Sequence, residues 1–167
     1  IIKLPQPVIA QIHGTAAAAG CQLVATCDLA IASTTAKFAT PGVNIGLFCS
    51  TPMVAVSRKL PRKKMMEMLL MGDLVSAETA LEFGLINRVV AYEKLEETVS
   101  NYANKIKEKS PLVLKIGKEA FYNQIDMPLA EAYKYTAEVM TQNMLAQDAN
   151  EGINAIIEKR QPTWAGK

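Results

Sequence analysis

Apolar and polar positions alternate in short blocks over the first half of the chain and in helical periods over the second. Pro7 to Ile12 (PVIAQI) is a brief apolar, β-branched run ended by His13-Gly14, and it predicts a buried strand. Thr15 to Gly20 (TAAAAG) consists of small residues only. Between a strand and a helix, such a stretch lets a ligand approach the backbone closely and aims free helix N–H groups at it. Cys21 to Thr26 predicts that helix, and Leu29 to Ala32 and Lys37 to Thr40 predict two further strands. Pro41 to Pro52 (PGVNIGLFCSTP) predicts a loop, because Pro and Gly punctuate it.

Helical patterns follow. Arg62 to Met71 predicts a helix stopped by Gly72, and Ser76 to Phe83 a short one closed by Gly84. Ile86 to Val90 predicts a strand and Glu93 to Lys107 a long helix. Ser110-Pro111 supplies an N-cap and a proline at the first helical position, and Asp126 and Pro128 open the next helix. Asp148-Ala-Asn-Glu151 has the form of a capping box for the last helix. With no repeat, linker or low-complexity segment, the pattern predicts one α/β domain over 1–167, helical from about residue 92 onward.

The 167 residues suffice for a sizeable core, and half of them are apolar. A net charge of +2 gives no electrostatic ground for a nucleic acid or a membrane surface as the main partner, and no apolar run reaches the length of a span. Cys21, Cys27 and Cys49 form no CxxC pair, and one histidine accompanies them, so a metal site is not expected. Scattered thiols in odd number suit a reducing, intracellular compartment. The opening Ile1-Ile2-Lys3-Leu4-Pro5 has no initiator Met and runs directly into a strand, the expectation for a chain that is cut, processed or preceded by further residues.

Four landmarks in order resemble the crotonase (enoyl-CoA hydratase/isomerase) superfamily. They are the PVIAQIHG strand, the small-residue turn before a helix ending in Cys27-Asp28, the segment MGDLVSAETALEFGLI at Met71 to Ile86, and the tail EGINAIIEKR at Glu151 to Arg160. The resemblance implies a β-β-α spiral, present here in part over about 1–91, followed by helices that mediate trimerisation, often with trimers paired into hexamers. It also implies an acyl-CoA ligand, no permanently bound cofactor, a further portion of the family's spiral ahead of PVIA, and a bacterial cytoplasm or a mitochondrial matrix.

The chemistry implied is stabilisation of a thioester oxyanion by two backbone N–H groups. On the resemblance one donor is Ala19, flanked by Ala18 and Gly20; the other belongs to the preceding portion. Hydratases of the family add two glutamates. Their positions are occupied here by Gln22, which can hold a water but cannot take its proton, and by Gly42, which has no side chain. Hydratase activity is therefore expected to be weak or absent. An acyl-CoA enzyme with a different acid/base group and a non-catalytic acyl-CoA-binding or assembly protein both remain open.

Asn44 and Ser50 are candidates for hydrogen bonding to the acyl group, set against a role in loop geometry. Lys159, followed by Arg160, is a candidate for the CoA phosphates, set against a solvated helix end. Cys21 and Cys49 are candidate nucleophiles, set against buried inert thiols. A dyad of His13 with Cys21 is conceivable on paper, but the structural reading of His13 is preferred. Asp28 reads as structural, and Arg62, Lys63 and Lys64 as a solvated face.

Overall fold

The computed structural model describes all 167 residues and divides them into two compact units, Val8–Ala103 with Ile1, and Asn104–Lys167 with Ile2–Pro7. The first unit contains every strand. β1 (Ile9–Ile12), β3 (Leu29–Ser33) and β6 (Arg88–Val90) form one parallel sheet in the order β1-β3-β6. β2 (Thr15–Ala17), β4 (Lys37–Ala39) and β5 (Val75–Ser76) form a second, parallel between β2 and β4 and antiparallel between β4 and β5. The chain thus lays one strand in each sheet, passes through α1 (Ala19–Thr26), and then repeats the step with β3 and β4. This β-β-α winding followed by helices is the fold class the family resemblance implies, and it agrees with the α/β-then-helical pattern of the sequence.

The core of the first unit lies beneath this winding. Phe38, Ala36, Ala32, Cys21 and Val56 of α2 (Pro52–Val56) are wholly enclosed, and Met65, Met68 and Leu69 of α3 (Arg62–Met71) are buried in the same cluster. Burial of a side chain such as Phe38 or Val56 is worth roughly 1.5–3 kcal/mol. The ends of the elements follow local chemistry. Gly72 adopts φ 67° and returns its N–H to Met68 O, closing α3 where a left-handed residue is required. Ser76 accepts the Thr79 N–H at 3.1 Å and caps α4 (Ala77–Glu82).

Three differences from the sequence expectation have local causes. The small-residue stretch is not turn throughout, because Thr15–Ala17 pairs with β4 as a strand. The segment after Thr40 is not all loop: Pro41–Ile45 forms a 3₁₀ turn, and Pro52 starts α2 at a helix position where its missing N–H costs nothing. The strand expected from Ile86 begins at Arg88, after Asn87 turns its carboxamide oxygen to the Ala30 N–H at 2.8 Å.

α5 (Leu95–Lys107) carries the chain into the second unit, in which α6 (Pro111–Gln124) packs on α7 (Leu129–Met144) and α7 on α8 (Gln147–Ile157). Ser110 caps α6 as expected, accepting the Val113 N–H at 3.1 Å. The capping box does not form. α8 starts at Gln147, ahead of the box, and both carboxylates turn to the chain terminus instead. Asp148 is enclosed, accepts the Ser110 hydroxyl, and takes the backbone N–H groups of Ala165 at 2.7 Å and Gly166 at 3.1 Å. Glu151 takes both Arg160 Nη groups at 2.6 and 2.8 Å and the Thr163 N–H at 2.7 Å. Trp164 closes this strap, donating its indole N–H to Glu108 O at 2.7 Å while its ring lies over Gly152.

The hydrogen bonds from Arg160 hold the Glu151 carboxyl down to about 2, and the Ser110 hydroxyl, with the backbone donors, holds that of Asp148 below its ordinary value. Depressed carboxylate values stabilise the folded form above the ordinary range and lose that contribution as the pH falls through the folded value. Acidification from the ordinary glutamate value of 4.5 toward about 2 is therefore expected to release the strap. Trp164 is the chain's single tryptophan, so a red shift of its emission in that window measures the release. Emission unchanged down to pH 2 would refute the assignment.

Candidate active site

Ala18, Ala19, Gly20 and Gln22 lie at the passage from β2 into α1. Ala18 connects the two elements at φ 48°, ψ −112°, a conformation that glycine adopts freely and alanine does not. Such strain costs on the order of 1–3 kcal/mol and persists only where the surroundings impose it. Here the Ala18 N–H is tied to Ala39 O at 3.0 Å, continuing the β2–β4 ladder, and Ala18 O receives the Gln22 N–H at 3.0 Å. Ala19, exposed, is thereby the first residue of α1, and its N–H has no partner within the helix. Ala18→Gly is expected to raise the melting temperature by about 2–4 °C by relieving the strain. An unchanged or lowered value in a thermal melt would show that the conformation is not strained.

Gln22 lies half-buried in the same helix, and its backbone carbonyl accepts the Thr26 hydroxyl at 2.7 Å. Gly42 is buried in the 3₁₀ turn that follows β4. The surroundings of Gly42 are filled. A Cβ there would stand 2.8 Å from Leu47 O, 3.0 Å from Cys49 Sγ and 3.2 Å from Cys49 N. The Gly42 N–H donates to Cys49 Sγ at 3.3 Å and Gly42 O accepts the Leu47 N–H at 2.9 Å. The loop from 42 to 49 is folded onto the space a side chain would need.

The other candidates sort by their contacts. The Asn44 amide donates to Gly72 O at 3.1 Å, fixing the 3₁₀ turn to the end of α3. Ser50 is exposed, and its hydroxyl donates to Phe48 O at 3.4 Å. Cys21 is wholly buried; that burial and the neighbouring Cys49 push its thiol up to about 12, against a lowering by the Ala39 backbone, which leaves almost no thiolate at neutral pH. Burial thus favours the inert-thiol reading of Cys21 over the nucleophile. His13 is exposed and takes part through its carbonyl, which receives Ser33 Oγ at 3.4 Å. Asp28 accepts the Val8 N–H at 2.7 Å and anchors the start of β1. Arg62 and Lys63 are exposed, while Lys64 reaches Glu67 at 3.5 Å and covers the Phe83 ring.

Lys159 belongs to the second unit, whereas the other candidates lie in the first. It is exposed and adopts φ 55°, ending α8 in a left-handed cap in which Lys159 N–H reaches Ile156 O and Arg160 N–H reaches Ala155 O. The Arg160 guanidinium is committed to Glu151 and Glu158.

One residue escapes sequence reasoning altogether. Thr40 follows β4 and is 0% exposed, yet its Oγ1 has no hydrogen-bond partner in the protein. A buried polar atom left unpaired costs about 1–3 kcal/mol. The signal available in the sequence is a single hydroxyl that follows Phe38 and Ala39 at the end of the KFAT run, which does not distinguish a core threonine from a site residue.

A family model described as enoyl-CoA hydratase/isomerase matches residues 1–167. The chain belongs to the enoyl-CoA hydratase/isomerase family. Among curated relatives of this family, the mitochondrial enoyl-CoA hydratase domain-containing protein 3 of Xenopus laevis is 51% identical over 161 residues, covering 96% of this chain and 55% of its own length. The crystal structure of an enoyl-CoA hydratase from Mycobacterium smegmatis superposes with a TM-score of 0.97 at 49% identity, over 98% of this chain and 64% of that one. The human enoyl-CoA hydratase domain-containing protein 3 gives 0.96 at 49% identity, over 98% and 65%. The chain spans about half the length of the curated relatives it matches. In this enoyl-CoA hydratase/isomerase chain, a helix-start turn is formed around Ala18 and Ala19, and positions 22 and 42 carry Gln and Gly rather than carboxylates. No helix is long and apolar enough to cross a membrane.

Proposed function

We propose that the protein binds a coenzyme A thioester and acts on it through the backbone oxyanion donor at Ala19, without the two-carboxylate hydration chemistry of the family's hydratases. The observation that carries this reading is the pairing of a formed helix-start turn at Ala18–Gly20 with a Gly42 whose side-chain space is filled by Leu47 O and Cys49. The frame for a thioester oxygen is kept, and the loop is built so that no side chain at 42 can serve it.

Support for an acyl-CoA ligand comes from the family and from the turn. Hydration needs a group that takes a proton from water, and Gln22 cannot supply it. A second reading, a non-catalytic acyl-CoA-binding or assembly protein, is favoured by the same filled loop. The test common to both is titration of the intact protein with a short-chain acyl-CoA: saturable binding supports either reading, and no binding overturns both. Consumption of the bound acyl-CoA then selects the enzyme.

Self-association into trimers, or hexamers of paired trimers, belongs to the same proposal. Leu129, Tyr133 and Met140 on α7 and Ile153, Ile156 and Ile157 on α8 leave large apolar side chains exposed, Ile156 by 80%. Light scattering on the intact protein decides it, with a monomer as the contrary result. The proposed location is a mitochondrial matrix or a bacterial cytoplasm, in line with the mitochondrial naming of the Xenopus relative.

A further inference from the structure

The wholly enclosed, unpaired hydroxyl of Thr40 stands at a particular place. β2 and β4 run in parallel register with Ala17 opposite Ala39, so one further step sets Thr40 beside Ala18. Ala39, its neighbour in sequence, already holds the Ala18 N–H. Thr40 occupies the cap position of the 3₁₀ turn but makes no capping bond, so its hydroxyl is committed to nothing in the protein. Because no part of Thr40 is exposed, a ligand in an open cleft does not reach it, and the partner of Oγ1 has to be enclosed with it. A water has the required size and satisfies several buried polar groups at once. Ala18 O accepts one hydrogen bond, from the Gln22 N–H, and a carbonyl oxygen has room for a second.

We propose that Thr40 is a positioning residue for the oxyanion turn: its hydroxyl holds an enclosed water that also binds Ala18 O, and so fixes the peptide unit whose N–H, on Ala19, faces the thioester oxygen. The water adds to the Ala39 bond a second restraint on Ala18 in its strained conformation, at the carbonyl rather than the N–H. Thr40 touches no substrate; it acts through the water and the peptide. The ligand arm of this inference rests on the proposed acyl-CoA function, and the water does not.

The experiment compares Thr40→Val, which keeps the shape and removes the hydroxyl, with Thr40→Ser, which keeps the hydroxyl, both in the intact protein. Thermal melts and a high-resolution crystal structure read the water. The carbonyl stretch of a bound short-chain acyl-CoA reads the polarisation of the thioester. The expected results are a water within hydrogen-bond distance of Thr40 Oγ1 and Ala18 O, and a Thr40→Val melting temperature lower by about 2–4 °C. Thr40→Val also reduces the red shift of the carbonyl stretch and weakens binding by roughly threefold to tenfold, and Thr40→Ser restores the shift. A Thr40→Val protein as stable as the parent or more stable, with no water at the site, overturns the inference, since the hydroxyl is then a plain orphan. A destabilised variant with an unchanged carbonyl shift overturns the positioning role. A parent that binds no acyl-CoA overturns the proposed function instead, and the crystallographic water still decides whether Thr40 holds one.

Discussion

Gly42→Glu destabilises the protein by at least about 1–3 kcal/mol and restores no hydration. The substitution looks like a repair, since it returns a carboxylate to the position where the resemblance places one. The structure argues otherwise. The first atom of any side chain at 42 meets Leu47 O at 2.8 Å, and that oxygen is backbone, which a rotamer change cannot move aside. Cys49 Sγ at 3.0 Å can turn, but then the Gly42 N–H loses its acceptor inside a buried turn. Overpacking of a tight site costs about 1–3 kcal/mol, and a carboxylate forced into it adds the cost of desolvation. Chemical denaturation of the parent beside Gly42→Ala and Gly42→Glu measures this. Alanine alone should already destabilise, and a Gly42→Glu protein as stable as the parent would mean that the loop opens readily.

The second large effect is on rate. A positioned acid or base contributes about 10²–10⁴-fold, and both mapped carboxylates are missing, so hydration of a 2-enoyl-CoA by the intact protein is expected to fall below ordinary enzymatic turnover by at least that factor. Gln22 is the position at which the deficit can be probed without disturbing the fold. It is half-buried, its side chain differs from glutamate by one atom type, and it stands near the start of α1, where the helix favours a negative charge. Gln22→Glu should therefore fold and bind acyl-CoA like the parent, while offering a bound water a proton acceptor.

Much of the fold was legible because its signals are local. Gly72 and Ser110 mark helix ends by chemistry that operates within a few residues, and α3 and α6 begin and end where these residues require. The capping box failed for a non-local reason. Asp148 and Glu151 have the right spacing, but Ser110 and the segment 163–166, distant in sequence, compete for their carboxylates and win. The site divides in the same way. Ala18 and Ala19 stand out in the sequence as part of a small-residue stretch that the resemblance interprets, and the Asn44 amide is engaged by Gly72 O. That Gly42 is required, rather than merely lacking a side chain, depends on Leu47 and Cys49 folding back onto it, and the unpaired state of Thr40 depends on everything packed around it. Neither follows from spacing along the chain.

Hydration of a short trans-2-enoyl-CoA by the intact protein, with Gln22→Glu measured beside it, tests the central claim that the thioester frame is kept while the hydratase carboxylates are gone. The account predicts that both proteins bind the ligand alike, that the parent hydrates it at a rate at least about 10²-fold below ordinary turnover, and that Gln22→Glu is the faster of the two. A parent that already turns over at an ordinary enzymatic rate, on the order of 1–10³ per second, would contradict it.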